Sequence, residues 1–104
     1  MGMIIRIVTK HVAPDQVEDW KAYGRDIALP SVLSQPGCKQ ILRLRRRGQT
    51  AFQLMTFWDS EADMARFQAS QIRLDLLAGA TPFDLPGAPH EPEIIYDVVP
   101  DPVK

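Results

Sequence analysis

Apolar and polar positions recur with two different periods along this chain. Ile4 to Val12 is rich in β-branched residues and reads as a strand, its apolar character interrupted by Arg6 and His11. Side chains on a strand alternate between faces. Ile5, Ile7, Thr9 and His11 share one face, and Ile4, Arg6 and Val8 the other; the first set is expected to be buried. At Ala13-Pro14-Asp15 the period becomes helical. Proline fits a first turn, and Asp15, Glu18 and Asp19 complement the helix dipole. Val17, Trp20, Tyr23 and Ile27 then recur at helical spacing. Pro30 is expected to end or kink this helix near Ala28 or Leu29, with a further turn through Val32 and Leu33.

Gln35-Pro36-Gly37-Cys38 marks a turn. Gln40 to Arg46 reads as a second strand, Arg47-Gly48-Gln49 as a hairpin loop, and Ala51 to Trp58 as a third strand. On that third strand Phe52, Leu54, Thr56 and Trp58 share a face. Ser60-Glu61-Ala62-Asp63 has the form of a capping box and opens a second helix through Met64, Phe67, Gln71, Leu74 and Leu77. Gly79 is its expected stop. Residues 80–92 carry four prolines and read as a long loop. Glu93 to Val99 is the last strand, and 100–104 a loose tail. The order β-α-β-β-α-β predicts an α+β, ferredoxin-like protomer with both helices on one sheet face. Nothing remains in the chain to cover the other face, so a second copy is expected to do so, giving a homodimer.

Length and composition narrow the picture further. With 104 residues the chain is one domain, 1–104, with its core at 3–99. Its 45% hydrophobic and 24% charged content fits a globular protein. A net charge of −1 gives no field that would draw nucleic acid or an anionic membrane. Arg43, Arg45, Arg46 and Arg47 cluster around the hairpin without interleaved aromatic residues, which suits a solvated strand edge better than a nucleic-acid surface. The single cysteine, Cys38, reads as a small buried hydrophobe, and the two histidines, His11 and His90, are too few for a metal centre. No apolar run approaches the ~20 residues that span a bilayer, and no leader pattern precedes Arg6, so a cytoplasmic setting is expected.

Three local features carry a resemblance. They are the strand that runs into Val12-Ala13-Pro14-Asp15, the turn Gln35-Pro36-Gly37-Cys38 before a strand, and Phe57-Trp58-Asp59-Ser60-Glu61-Ala62 followed by Phe67. Together with the element order they resemble the antibiotic biosynthesis monooxygenase family of the dimeric α/β-barrel superfamily, over roughly residues 3–78. The resemblance implies a dimeric barrel with an apolar pocket between sheet and helices. In the heme-degrading branch the resemblance implies an Asn, a Trp and a His where this chain has Thr9, Phe67 and Leu77, so that chemistry is not expected. The polyketide-quinone branch matches at Trp58, has Leu54 in place of its Asn, and offers Arg73 near its activating Arg. The activity implied is a cofactor-independent monooxygenase acting on a small aromatic or quinol-type compound.

The candidate site follows. Trp58 is expected as a pocket wall, His11 as a general base, and Tyr23 as an orienting hydroxyl. Thr9, Trp20, Leu54, Phe67 and Arg73 are candidate ligand contacts, Arg73 as an anion stabiliser. No metal and no cofactor are expected. Two other readings stay open: a non-catalytic dimer that binds a small hydrophobic molecule, and an isomerase or cyclase using His11.

Overall fold

The chain alternates strand and helix in the expected order, with more helical breaks than periodicity alone shows. The computed structural model describes residues 2–100. It contains β1 (Ile4–His11), α1 (Val17–Tyr23), α2 (Leu29–Leu33), β2 (Cys38–Arg45), β3 (Ala51–Trp58), α3 (Glu61–Gln68), α4 (Gln71–Ala80) and β4 (Ile94–Asp97). The sheet order is β2-β3-β1-β4 and every pairing is antiparallel. This is the α+β ferredoxin-like arrangement, with β2 at an edge as the arginine cluster suggested. β4 is shorter than Glu93–Val99, and the tail residues 101–104 lie outside the described residues.

The expected faces of β1 are reversed. Ile4 and Arg6 are buried against the helices, whereas Ile5, Ile7, Thr9 and His11 lie half-buried on the open face. Register explains the difference. Ile4 pairs with Trp58, Arg6 with Thr56, Val8 with Leu54 and Lys10 with Phe52. Residues opposite one another share a face, so the aromatic face of β3 brings the Ile4 set under the helices.

Pro30 interrupts the first helical passage near Ala28 and Leu29 without ending it, and the further turn through Val32 and Leu33 is α2. A 3-10 turn at Pro14–Gln16 leads into α1, a π-helical turn at Gly24–Ala28 follows, and Pro30 sits in the first turn of α2. Proline has no N–H to give the Asp26 carbonyl, and its ring would crowd that oxygen. The wider turn just before it resolves the conflict: the Leu29 N–H reaches back to the Gly24 carbonyl.

The second helix is likewise two helices. Ser60 Oγ accepts from the Asp63 N–H at 3.2 Å, and Ser70 Oγ accepts from the Arg73 N–H at 3.2 Å. Ser70 is therefore a second N-cap in mid-passage, and Gly79 lies inside α4 rather than ending it. The turn reorients the apolar stripe: Met64 and Phe67 are buried, but Leu74 and Leu77 are exposed.

Two apolar clusters hold the layers together. One joins Ile4, Val32, Trp58, Met64 and Phe67; the other joins Val12, Val17, Trp20 and Phe52. They sit at opposite ends of the β1–β3 ladder. Part of the expected 80–92 loop is also fastened. Val12 and Asp84 form a β-bridge, the Leu85 N–H donates to the His11 carbonyl at 2.9 Å, and the Ala13 N–H donates to the Phe83 carbonyl at 3.0 Å.

Candidate active site

Between the two clusters the sheet floor becomes polar. Arg6, Val8, Lys10, Arg43, Leu54 and Thr56 face the helices across a cavity of about 570 Å³. That volume is in the range of small-molecule pockets. Two positions in the helical roof admit the neighbouring side chains by being glycine. A Cβ on Gly24 would lie 2.3 Å from Arg43 Nη1, and a Cβ on Gly79 would lie 2.4 Å from Tyr23 Oη.

Most charges around the cavity are matched. Arg6 is 8% exposed and its Nε donates to Glu93 Oε1 at 2.5 Å. Lys10 pairs with Asp84 and donates to the Ala80 carbonyl. Glu91 accepts a two-pronged pair of bonds from Arg46, at 2.7 and 3.0 Å, and its Oε2 lies 2.5 Å from His11 Nε2. Those bonds, Arg46 first and His11 second, pull the Glu91 carboxyl down to about 2. The Arg43 Nη1 donates to the Lys21 carbonyl at 3.3 Å, and its guanidinium lies 5.0 Å from the Trp20 ring centroid. Desolvation lowers the Arg43 pKa, and nearby Arg25 adds to the effect.

The sequence candidates divide by placement. Trp20, Tyr23, Leu54, Phe67 and Arg73 all border the cavity, and Thr9 touches its rim. Trp58 does not. It is fully buried behind Phe67, with ring centroids 5.4 Å apart, and its Nε1 donates to Thr56 Oγ1 at 2.9 Å. It supports the wall rather than forming it. His11 is on the opposite sheet face, a consequence of the reversed parity of β1. It reaches the site only through Glu91, which borders the cavity.

The Tyr23 hydroxyl donates to the Leu76 carbonyl at 3.0 Å, and its ring packs on Phe83. Its donor is therefore engaged, leaving an acceptor oxygen for a ligand. Burial raises its pKa, so the neutral phenol is the form present at neutral pH. Cys38 is half-buried beside the Trp58 cluster, and burial pushes its thiol up as well. That is the inert packing role expected of it. Among the described residues no group of three or more potential ligands gathers for a metal, and no helix is long and apolar enough to cross a membrane.

Arg6, Lys10, Arg43, Glu91 and Glu93 are among the cavity residues that sequence reasoning missed. The first two were placed by β1 parity, which only the pairing with β3 fixes. Arg43 read as a solvated edge residue because Gly24, the gap that admits it, is 19 positions away.

A single antiparallel sheet, helices on one face and an internal cavity between them define a ferredoxin-like domain with a built-in ligand chamber. The chain belongs to the antibiotic biosynthesis monooxygenase family, whose model matches residues 3–76. Solved structures share the fold. A protein of Nitrosomonas europaea, provisionally described as an antibiotic biosynthesis monooxygenase, is 22% identical, with 95% of this chain and 93% of that one covered and a TM-score of 0.76. A protein of Bordetella bronchiseptica with the same provisional description is 20% identical, covering 97% and 99%, with a TM-score of 0.74. A conserved protein of Methanosarcina mazei is 14% identical, covering 92% of each chain, with a TM-score of 0.76. No curated protein matches by sequence.

Proposed function

We propose that this protein is a cofactor-independent monooxygenase of a small aromatic or quinol-type compound, acting as a homodimer. The observation that carries the reading is the mostly apolar cavity in a member of this family, with Trp20, Phe52 and Phe67 on its walls and polar groups on its floor. In such a reaction the quinol supplies the electrons. One atom of O2 enters a ring carbon and the other leaves as water. The protein's part is to orient the ring, exclude water and stabilise the oxyanion that forms. Tyr23 Oη accepts a hydroxyl proton of the ligand in a hydrogen bond, Arg73 offers the cavity a positive charge for an anionic group of the ligand, and Trp58 holds Phe67 in place. His11 is a positioning residue, acting through Glu91.

The dimer reading rests on the open face. There Ile5, Ile7, Leu42, Leu44, Met55 and Phe57 align across three strands, and Leu42 and Leu44 are exposed in the single chain. An apolar face of that extent is an interaction surface.

One observation favours a second reading, a non-catalytic binder. Leu54 stands where the resemblance implies an Asn, so the cavity floor lacks that hydrogen-bonding group. Oxygen uptake with naphthoquinol and dihydroxyanthracene separates the two. Uptake proportional to protein, insensitive to chelator and reduced in Tyr23→Phe or Arg73→Gln, supports the oxygenase. Saturable binding with uptake no faster than the quinol's own autoxidation supports the binder.

A further inference from the structure

The charges around the cavity do not balance. Arg6 is matched by Glu93, Lys10 by Asp84, and Glu91 by Arg46 and His11. Two guanidinium groups that border the same space, Arg43 and Arg73, make no ion pair among the described residues. Arg43 is partly engaged, by the Lys21 carbonyl and the Trp20 ring. Arg73 is not. Its Nε is buried and has no hydrogen-bond partner among the described residues. A buried donor without an acceptor is costly, and more so when it carries charge.

We propose that the cavity takes an apolar aromatic acid, its ring system against Phe67 and Trp20 and its carboxylate held by Arg73, with Arg43 as the second cation. The inference rests on the reading of this cavity as the ligand site and adds the class of ligand. The choice of carboxylate follows from charge and shape. A phenol is neutral at pH 7, with an ordinary pKa near ~10, and gives a guanidinium only a weak acceptor. A carboxylate is ionised and matches the planar fork of donors. The apolar body has Val8, Leu54, Leu76 and Leu77 to pack on, and the other charged lining groups Arg6, Lys10, Glu91 and Glu93 are already paired.

Calorimetric titration of the full chain under nitrogen tests this without turnover. The probes are naphthoic acid, naphthamide and naphthol, which share one skeleton. The acid is expected to bind about tenfold or more tightly than the amide, the size of one charge-assisted bond. That advantage should collapse in Arg73→Gln and return in part in Arg73→Lys, with the melting transition of each variant as the check on folding. If Arg73→Gln does not fold, the acid-over-amide ratio of the wild type at low and high salt gives the reading instead, and a ratio near one overturns the proposal. Equal binding of acid and amide overturns it and leaves the oxygenase reading intact. So does naphthol binding more tightly than the acid. An advantage that survives Arg73→Gln also overturns it, whatever Arg43→Gln does. No binding by any of the three overturns it together with the reading of the cavity as a ligand site.

Discussion

Single side chains decide whether the chamber keeps its shape. Trp58 is the largest fully buried residue, and its truncation combines a lost ring stack with loss of the indole N–H bond to the Thr56 hydroxyl, which keeps its own bond to the Arg6 carbonyl. Trp58→Ala is expected to cost roughly 3–5 kcal/mol, read from urea denaturation. A loss of ligand affinity in that variant at a stability close to wild type would instead mean that Trp58 touches the ligand. Gly79→Ala separates stability from function. Replacing a helical glycine gains about 1 kcal/mol in propensity, but the new Cβ collides with the Tyr23 hydroxyl and breaks its bond to Leu76, costing about the same. Stability is expected to change little while affinity for naphthoquinol falls, by calorimetry. Tyr23 and Phe67 lie on helical stripes legible in the sequence, Leu54 and Arg73 were singled out only by the resemblance, and all four border the cavity. Sequence misplaced His11 and Arg6 because strand parity has meaning only against a partner strand.

At the scale of elements, the segment from Thr81 to Glu93 is a strap rather than a free loop. Three basic residues of β1, Arg6, Lys10 and His11, each meet a carboxylate on it, at Glu93, Asp84 and Glu91. The Glu91 carboxyl is held at about 2, below its ordinary value of 4.5. A depressed folded-state pKa contributes stability that is complete above the unfolded value and is lost as pH falls toward the folded one. Wild type is therefore expected to lose more stability between pH 4.5 and about 2 than Glu91→Gln does, by urea denaturation at stepped pH. Parallel curves through that window would show that the pairing does not anchor the strap. The proline-rich composition revealed the extended character of this segment but not its attachment, because cation and carboxylate lie 74 to 87 positions apart. Pro30 was read as an end or kink near Ala28 or Leu29, where the π turn lies, whereas the Ser70 cap was not read. Each was an available local signal, a proline without its N–H and a serine three residues before a free N–H, the second outweighed by the longer helical period around it.

At the scale of the molecule, the ferredoxin-like order could be read from the alternation of periods, since each element has its own stripe. The open sheet face predicts a dimer. Sedimentation should show two copies at micromolar concentration, and Phe57→Asp should give a monomer. A wild-type chain that stays monomeric and fully folded would remove the need for a second copy. The cavity is the part no local pattern discloses, because its floor comes from three strands and its roof from four helices. Its role is tested most directly by the amide resonances of the isotopically labelled protein, titrated anaerobically with dihydroxynaphthalene. The account predicts saturable shifts gathered at Val8, Leu54, Tyr23, Gly24, Phe67 and Leu76. Shifts confined to the open face around Ile7, Met55 and Phe57, or none that saturate, would contradict it.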